Sequence, residues 1–222
     1  VFERFGRVCV TKDGIDDILY SAIGDVTTWT DDPNDDSDGW ETPIGYKDGG
    51  DILGVYPLAT DIIVFKSNGK IFQLSGEPPE QSCFEIAKDS DFVYHLGITN
   101  LSGELIYMSK RGLRSLSASK TYGNFQDVEF GAKINSAAST SVYHPILWKL
   151  PRKKQIILRP NEGTKLYAYH YQLGCFTTMT FPQIVVDIVE SPTELIVAMG
   201  ASLYYWSQTY STDNGAAITA KL

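Results

Sequence analysis

The chain has 222 residues, 43% of them apolar and 21% charged, which excludes a disordered or fibrous segment. That length suits one large domain or two small ones, and it buries enough surface, roughly 70%, to need no disulfide or metal staples. The formal charge of −8 argues against a protein that grips nucleic acid by neutralising phosphates. No apolar run approaches the roughly 18 residues of a membrane helix, and no basic-then-apolar leader opens the chain, so neither a membrane span nor a signal peptide is expected. A start at Val1 and a stop inside an alternating run (residues 217–222) predict a piece of a longer chain.

In chain order, the first strand signals are Arg7-Val-Cys-Val10 and Ile18-Leu-Tyr-Ser21, read as the hairpin of a partial unit. Residues 31–41 follow as an acidic loop insertion: Asp31, Asp32, Asp35, Asp36, Asp38 and Glu41 stand there with no Lys or Arg. Strand-like runs come next at 51–56, 60–75 and 82–86, the middle one a hairpin around Gly69. The same three-part phrase recurs at 92–96, 103–117 and 125–130 around Gly112. Residues 134–142 are nearly the one stretch that could wind a helical turn or two. The phrase returns at 144–148, 154–169 and 175–179 around Gly163, and at 184–189, 193–207 and 217–222 around Gly200.

Each central hairpin has a polar first residue, an apolar strand, a turn that needs positive φ at its glycine, and an alternating second strand. Ile62, Leu105, Ile156 and Leu195 are equivalent positions, spaced by 43, 51 and 39 residues. Four antiparallel strands in each 40–50 residues mark the blades of a β-propeller. The predicted fold is therefore all-β, a single propeller of about five four-stranded blades over residues 1–222. A β-sandwich has a similar rhythm, but it has no need of the repeated Glu/Asp-Leu/Ile-Ile/Val phrase.

Few residues suggest chemistry. Oxygen-rich loops hold Ca²⁺, and Asp31, Asp35, Asp36 and Asp38 are the candidate ligands, yet the EF-hand spacing is missing and a self-repelling solvated loop is the favoured reading. Cys9, Cys83 and Cys175 are odd in number and far apart, so they read as small buried hydrophobes. His95, His144 and His170 lie in no catalytic motif, and His95 and His170 read as satisfied strand residues. Asp51, Asp61, Asp91, Glu104 and Glu194 sit near strand starts, where a glycosidase propeller would need converging carboxylates. Recurrence of Asp61, Glu104 and Glu194 at one repeat position favours a structural cap. Lys149, Arg152, Lys153 and Lys154 read as a basic surface turn, and Trp29, Trp40, Trp148 and Trp206 as packing residues. No catalytic, cofactor-binding or metal residue is assigned, and no enzyme is expected.

The phrase Ile18-Leu-Tyr-Ser-Ala-Ile-Gly-Asp-Val-Thr-Thr-Trp29, with Gly45-Tyr-Lys-Asp-Gly49, resembles phrases of the tail tubular or nozzle proteins of short-tailed phages. The resemblance continues through Ile52 to Leu58, through the hairpin from Ile62 to Gly76, and into Thr212-Asp-Asn-Gly-Ala-Ala-Ile218, where Ala217 replaces the family's usual proline. It implies a virion structural protein in the tail, part of the nozzle below the portal, made in the host cytoplasm. Its implied partners are other tail proteins (adaptor, fibre or tube subunits) and copies of itself in a ring, with DNA passing unbound. If the ring contacts belong to segments outside these residues, the isolated chain is expected to be mostly monomeric. The rival reading is a carbohydrate-binding or glycoside-hydrolase-like propeller, recognised by an aromatic and carboxylate site at the ring axis.

Overall fold

The computed structural model describes residues 1–11, 14–30, 35–88, 91–92, 94–110, 112–118, 125–129, 143–206, 212–213 and 216–217. They form two compact units, Val1–Leu147 and Trp148–Leu222. The first unit opens with the antiparallel sheet β1 (Phe2–Arg4), β2 (Arg7–Val10), β3 (Asp17–Tyr20) and β4 (Trp40–Pro43). A second sheet joins β5 (Ile52–Leu58), β6 (Asp61–Lys66), β7 (Ile71–Ser75) and β8 (Ser82–Ala87). A third joins β9 (Ile98–Leu101), β10 (Glu104–Ser109), β11 (Gly112–Ala118) and β12 (Phe125–Glu129). In each sheet the strands lie in sequence order and each pairs with the next, which is the meander of a propeller blade.

Parity along the strands explains how the blades of this unit stack. In β6 and β7 the even residues Ile62, Val64, Phe72 and Leu74 pack with Cys9, Ile18 and Tyr20 of the first sheet and with Ile44 just after it. The odd residues Ile63, Phe65 and Ile71 pack instead with Ile98, Leu105, Tyr107 and Leu116 of the third. Successive side chains leave a strand on opposite faces, so a strand between two neighbours must be apolar on both. That requirement is the origin of the unbroken apolar run Ile62-Ile-Val-Phe65.

The second unit continues the pattern. β13 (Ile146–Leu150), within which the division falls, leads through β14 (Gln155–Arg159) and β15 (Lys165–His170) to β16 (Cys175–Thr180) in a fourth four-stranded sheet. β17 (Val185–Glu190), β18 (Leu195–Met199) and β19 (Ser202–Trp206) form a three-stranded fifth. A short ribbon pairs β20 (Thr212–Asp213) with β21 (Ala216–Ala217). The four equivalent positions Ile62, Leu105, Ile156 and Leu195 are all buried.

Several sequence expectations need correction. The first repeat, expected to be partial, is a complete blade, because Phe2–Arg4 folds back on β2 through Phe5 and Gly6, both at positive φ (55° and 70°), and Trp40–Pro43 adds the fourth strand. The described residues of the run at 92–96 form no strand: Phe92 makes an isolated bridge to Ser109 and fills the core, its ring centroid 4.4 Å from Phe65. The third blade begins at Ile98 instead. Gly163 does not turn through positive φ, since the Asn161 side chain caps its N–H at 3.0 Å and turns the chain by itself. Cys83 and Cys175 are exposed because β8 and β16 are outer strands, whereas Cys9 is buried as expected. Residues 134–142 and 218–222, where a helical turn and most of a last strand were expected, lie outside the described residues.

Candidate functional site

The most tightly organised polar centre joins three segments of the first unit around Lys66, the last residue of β6 and fully buried. Its ammonium meets Asp48 Oδ1 at 2.6 Å and Asp16 Oδ1 at 3.2 Å, and it donates to the Ile44 carbonyl at 2.7 Å. Three N–H donors thus have three acceptors. Lys70 lies 3.4 Å from Asp48 Oδ2 and 3.3 Å from Glu85, which extends the pairs outward to β8. Burial alone would raise the Asp48 carboxyl, but hydrogen bonds from Lys66, Asn68 and the Gly50 amide, with the Lys66 charge, hold it down at about 2. Gly45 is required beside it: at φ 62° a Cβ there would stand 2.6 Å from Asp48 Oδ2 and 2.7 Å from Phe72. The Gly45–Gly49 phrase and the Lys66–Asn68 phrase are therefore two halves of one lock. Sequence reasoning used both phrases and missed the pair; its signal was a lone Lys ending an apolar strand.

A second centre organises the loop between β3 and β4. Arg7, 2% exposed, donates its guanidinium to three backbone carbonyls, those of Ser21 (2.7 Å), Asp36 and Asp38. The acidic stretch is thus held by its backbone. Asp35 turns its carboxylate onto the Ser37 hydroxyl and amide, which lowers its pKa, and Asp36 stays exposed. Asp31 and Asp32 lie outside the described residues. Asp25 accepts from both Thr27 and Thr28, and the Trp29 indole donates to the Val26 carbonyl at 2.9 Å. Gly39 lets the two arms touch, since a Cβ there would lie 2.5 Å from the Trp29 backbone. The resulting loop displays Ile23, Val26 and Trp29, so Trp29 is a surface residue and not the packing residue expected.

In the second unit the basic turn after β13 borders an open groove with Lys149, Pro151 and Arg152 on one side and Ile188, Val189 and Pro192 on the other. The Glu190 carboxylate accepts from the Arg152 and Lys153 amides, and Arg152 Nη1 donates to the Ser191 carbonyl. Trp148 is buried and donates its indole N–H to Asp187 at 2.8 Å. Trp40 packs half-buried against the first-blade core, and the Trp206 side chain lies outside the described residues.

The remaining candidates do not converge on one site. His170 ends β15 with its ring nitrogens 3.1 Å from the Gln155 amide and 3.0 Å from the Thr177 hydroxyl. His95 lies in the turn before β9, not mid-strand, and packs against Tyr94, which also packs against His144. Asp61 accepts from Gln73 at 2.7 Å, Asp51 is exposed, and Asp91 takes a positive φ of 50°. Glu104 starts β10, and Glu194 immediately precedes β18, closing a turn with Ser191. Among the described residues no three His, Cys, Asp or Glu side chains gather to hold a metal. No helix among them is long and apolar enough to cross a membrane.

No family profile matches the chain, and no curated protein matches it in sequence. Its similarities are to solved structures. Hsv2 of Kluyveromyces marxianus aligns over 96% of this chain and 60% of its own, with a TM-score of 0.55 at 12% identity. A chain from a Saccharomyces cerevisiae structure of Dbp5 with Nup159 and Gle1 aligns over 97% and 62%, with a TM-score of 0.55 at 9% identity. The extracellular domain of a one-component system of B. thetaiotaomicron aligns over 90% and 26%, with a TM-score of 0.51 at 9% identity. The chain thus spans less than two thirds of each of these structures. At such identities the likeness concerns fold alone, and the fold it shares with these neighbours is the β-propeller, as the repeat predicted.

Proposed function

We propose that the chain is a structural propeller of a phage virion, part of the tail nozzle below the portal, which works through protein–protein contacts and performs no catalysis. One observation carries this reading. The phrases that resemble the nozzle family meet in the Asp48–Lys66 lock and in the Arg7-anchored loop, where their polar residues hold backbone and sheets together. Residues with that job are what a scaffold needs, and they leave the apolar side chains Ile23, Val26, Trp29 and Tyr46 facing outward. In this reading the partners are other tail proteins and further copies of the chain, and DNA passes an acidic surface without being gripped. Electron microscopy of particles carrying a label on this chain tests it. Label in the tail below the portal is expected, and particles without label refute it.

The carbohydrate reading keeps one specific support. Tyr94, His95, Tyr143 and His144 form a cluster of mutually tilted rings, neighbouring centroids 3.9–4.6 Å apart, and Tyr143 is exposed. Exposed aromatic faces are how proteins hold flat ligands. Chemical-shift mapping with a panel of oligosaccharides separates the readings: saturable shifts at Tyr143 favour the sugar binder, and unchanged spectra remove it.

A further inference from the structure

We infer that two surfaces of this chain, one acidic and one basic, dock head to tail between copies. The inference deepens the self-association in the proposed function and names its contacts.

The acidic surface is the loop from Ser21 to Thr30 with its neighbours Asp35 and Asp36. Ile23, Val26 and Trp29 are 55%, 61% and 39% exposed, three large apolar side chains within seven residues. The loop is rigid for its length. Ala22 donates to the Thr28 carbonyl and Ile23 to that of Ser37, each at 2.8 Å, Gly24 donates to Gly6, and Asp25 staples Thr27 and Thr28. An apolar surface already ordered loses little entropy on binding. Its rim is of one sign: between Lys12 and Lys47 the sequence contains no Lys or Arg, and Asp25, Asp35 and Asp36 are exposed.

The basic surface is the groove beside the β13–β14 turn. Its floor is apolar, made by Pro151, Ile188, Val189 and Pro192, and Val189 is 52% exposed although it lies within a strand. Lys149 and Arg152 line the groove, and Lys153 and Lys154 follow in the same turn, against one lining carboxylate, Glu190, which is engaged with the Arg152 and Lys153 amides. An apolar patch with an acidic rim and an apolar groove with a basic rim are complementary in both respects. The two surfaces differ, so the contact is heterologous, and such contacts build rings or filaments, not closed pairs. This places self-association within the 222 residues, in contrast to the mostly monomeric chain that the sequence suggested.

Charge reversal with complementation tests the pairing by sedimentation of the whole chain. The unaltered protein should associate with rising concentration, and salt should weaken that association. Asp35→Lys/Asp36→Lys and Lys149→Glu/Lys154→Glu should each reduce self-association roughly tenfold or more, because each opposes like charges. Neither pair of side chains is buried, so circular dichroism should show both variants folded. Mixed in equal amounts, the two variants should associate again, since each supplies the partner for the other's surface. A chain that stays monomeric at every concentration overturns the proposal. So does association indifferent to both reversals, as does a mixture of folded variants that remains monomeric. If Leu203→Ser/Tyr205→Ser abolishes association while the reversals do not, the contact is the exposed β19 face and the proposed pairing is wrong. None of these outcomes bears on whether label appears in particle tails, so the two readings fail separately.

Discussion

Replacing Lys66 with Met removes the one cation that meets Asp48, Asp16 and the Ile44 carbonyl together. Met fills a similar volume, so the loss is electrostatic more than steric. The Asp48 side chain, 8% exposed, then keeps the Gly50 amide at 3.2 Å, Asn68 and the more distant Lys70 against its burial. Breaking a buried pair from one side costs about 3–5 kcal/mol. The Asp48 carboxyl gives a second measure: held at about 2 instead of 3.8, its ionised form is favoured in the fold by about 2 kcal/mol. Because the folded value is depressed, this contribution is complete above pH 3.8 and disappears as the pH falls through about 2. Urea unfolding of the parent and of Lys66→Met, followed by tryptophan fluorescence between neutral pH and pH 2, reads both effects. The variant should lose at least about 3 kcal/mol near neutrality, and the difference should shrink steadily in acid. A loss under about 1 kcal/mol, or a difference that does not change with pH, refutes the lock.

The other predictions test the repeat, the turn and the acidic loop. Ile62→Ala and Leu195→Ala, both at buried equivalent positions, should each cost roughly 2–5 kcal/mol in urea unfolding; under about 0.5 kcal/mol at both would break the repeat alignment. Gly45→Ala should lower stability by more than about 1 kcal/mol in thermal unfolding, because positive φ and two contacts under 3 Å act together. Asp35→Asn/Asp36→Asn should change stability by less than about 0.5 kcal/mol, since Arg7 holds that stretch by its carbonyls. If the parent instead gains melting temperature with added calcium and this variant does not, the loop is a metal site.

Three of the central hairpins were legible because their first strands, β6, β10 and β14, are buried on both faces and cannot hide an apolar run; β18 is buried on one face and half-buried on the other. Outer strands gave weaker signals. Phe2–Arg4 and Trp40–Pro43 are short and mixed in polarity, and their pairing is fixed by the Phe5–Gly6 turn and by the loop that Arg7 holds, not by alternation. Phe92 misled in the opposite direction, since an apolar run reports burial and burial there comes from ring packing without strand pairing. The polar centre was invisible for another reason. Asp48 lies 18 residues before Lys66 and Asp16 lies in the preceding blade, so only stacking of the two sheets brings them together. A Lys at the end of an apolar strand, read alone, is a solvent-facing terminus.

Lys66 and Arg7, the buried cations described for the first unit, divide the work in different ways. Lys66 meets carboxylates, so its strength depends on their ionisation and fades in acid. Arg7 meets only backbone carbonyls, which do not titrate. The anchor that Arg7 sets at Ser21, Asp36 and Asp38 therefore does not depend on the charge of the loop's side chains. A loop anchored through its side chains would have to spend those carboxylates on the anchor, and their charge would be neutralised where it stands. Anchoring by carbonyl leaves Asp36 exposed and Asp35 ionised beside Ser37, so a negative rim surrounds Ile23, Val26 and Trp29 without loosening the support below. For a propeller that works by contact, that separation allows the rim to vary with the partner while the blade stays the same.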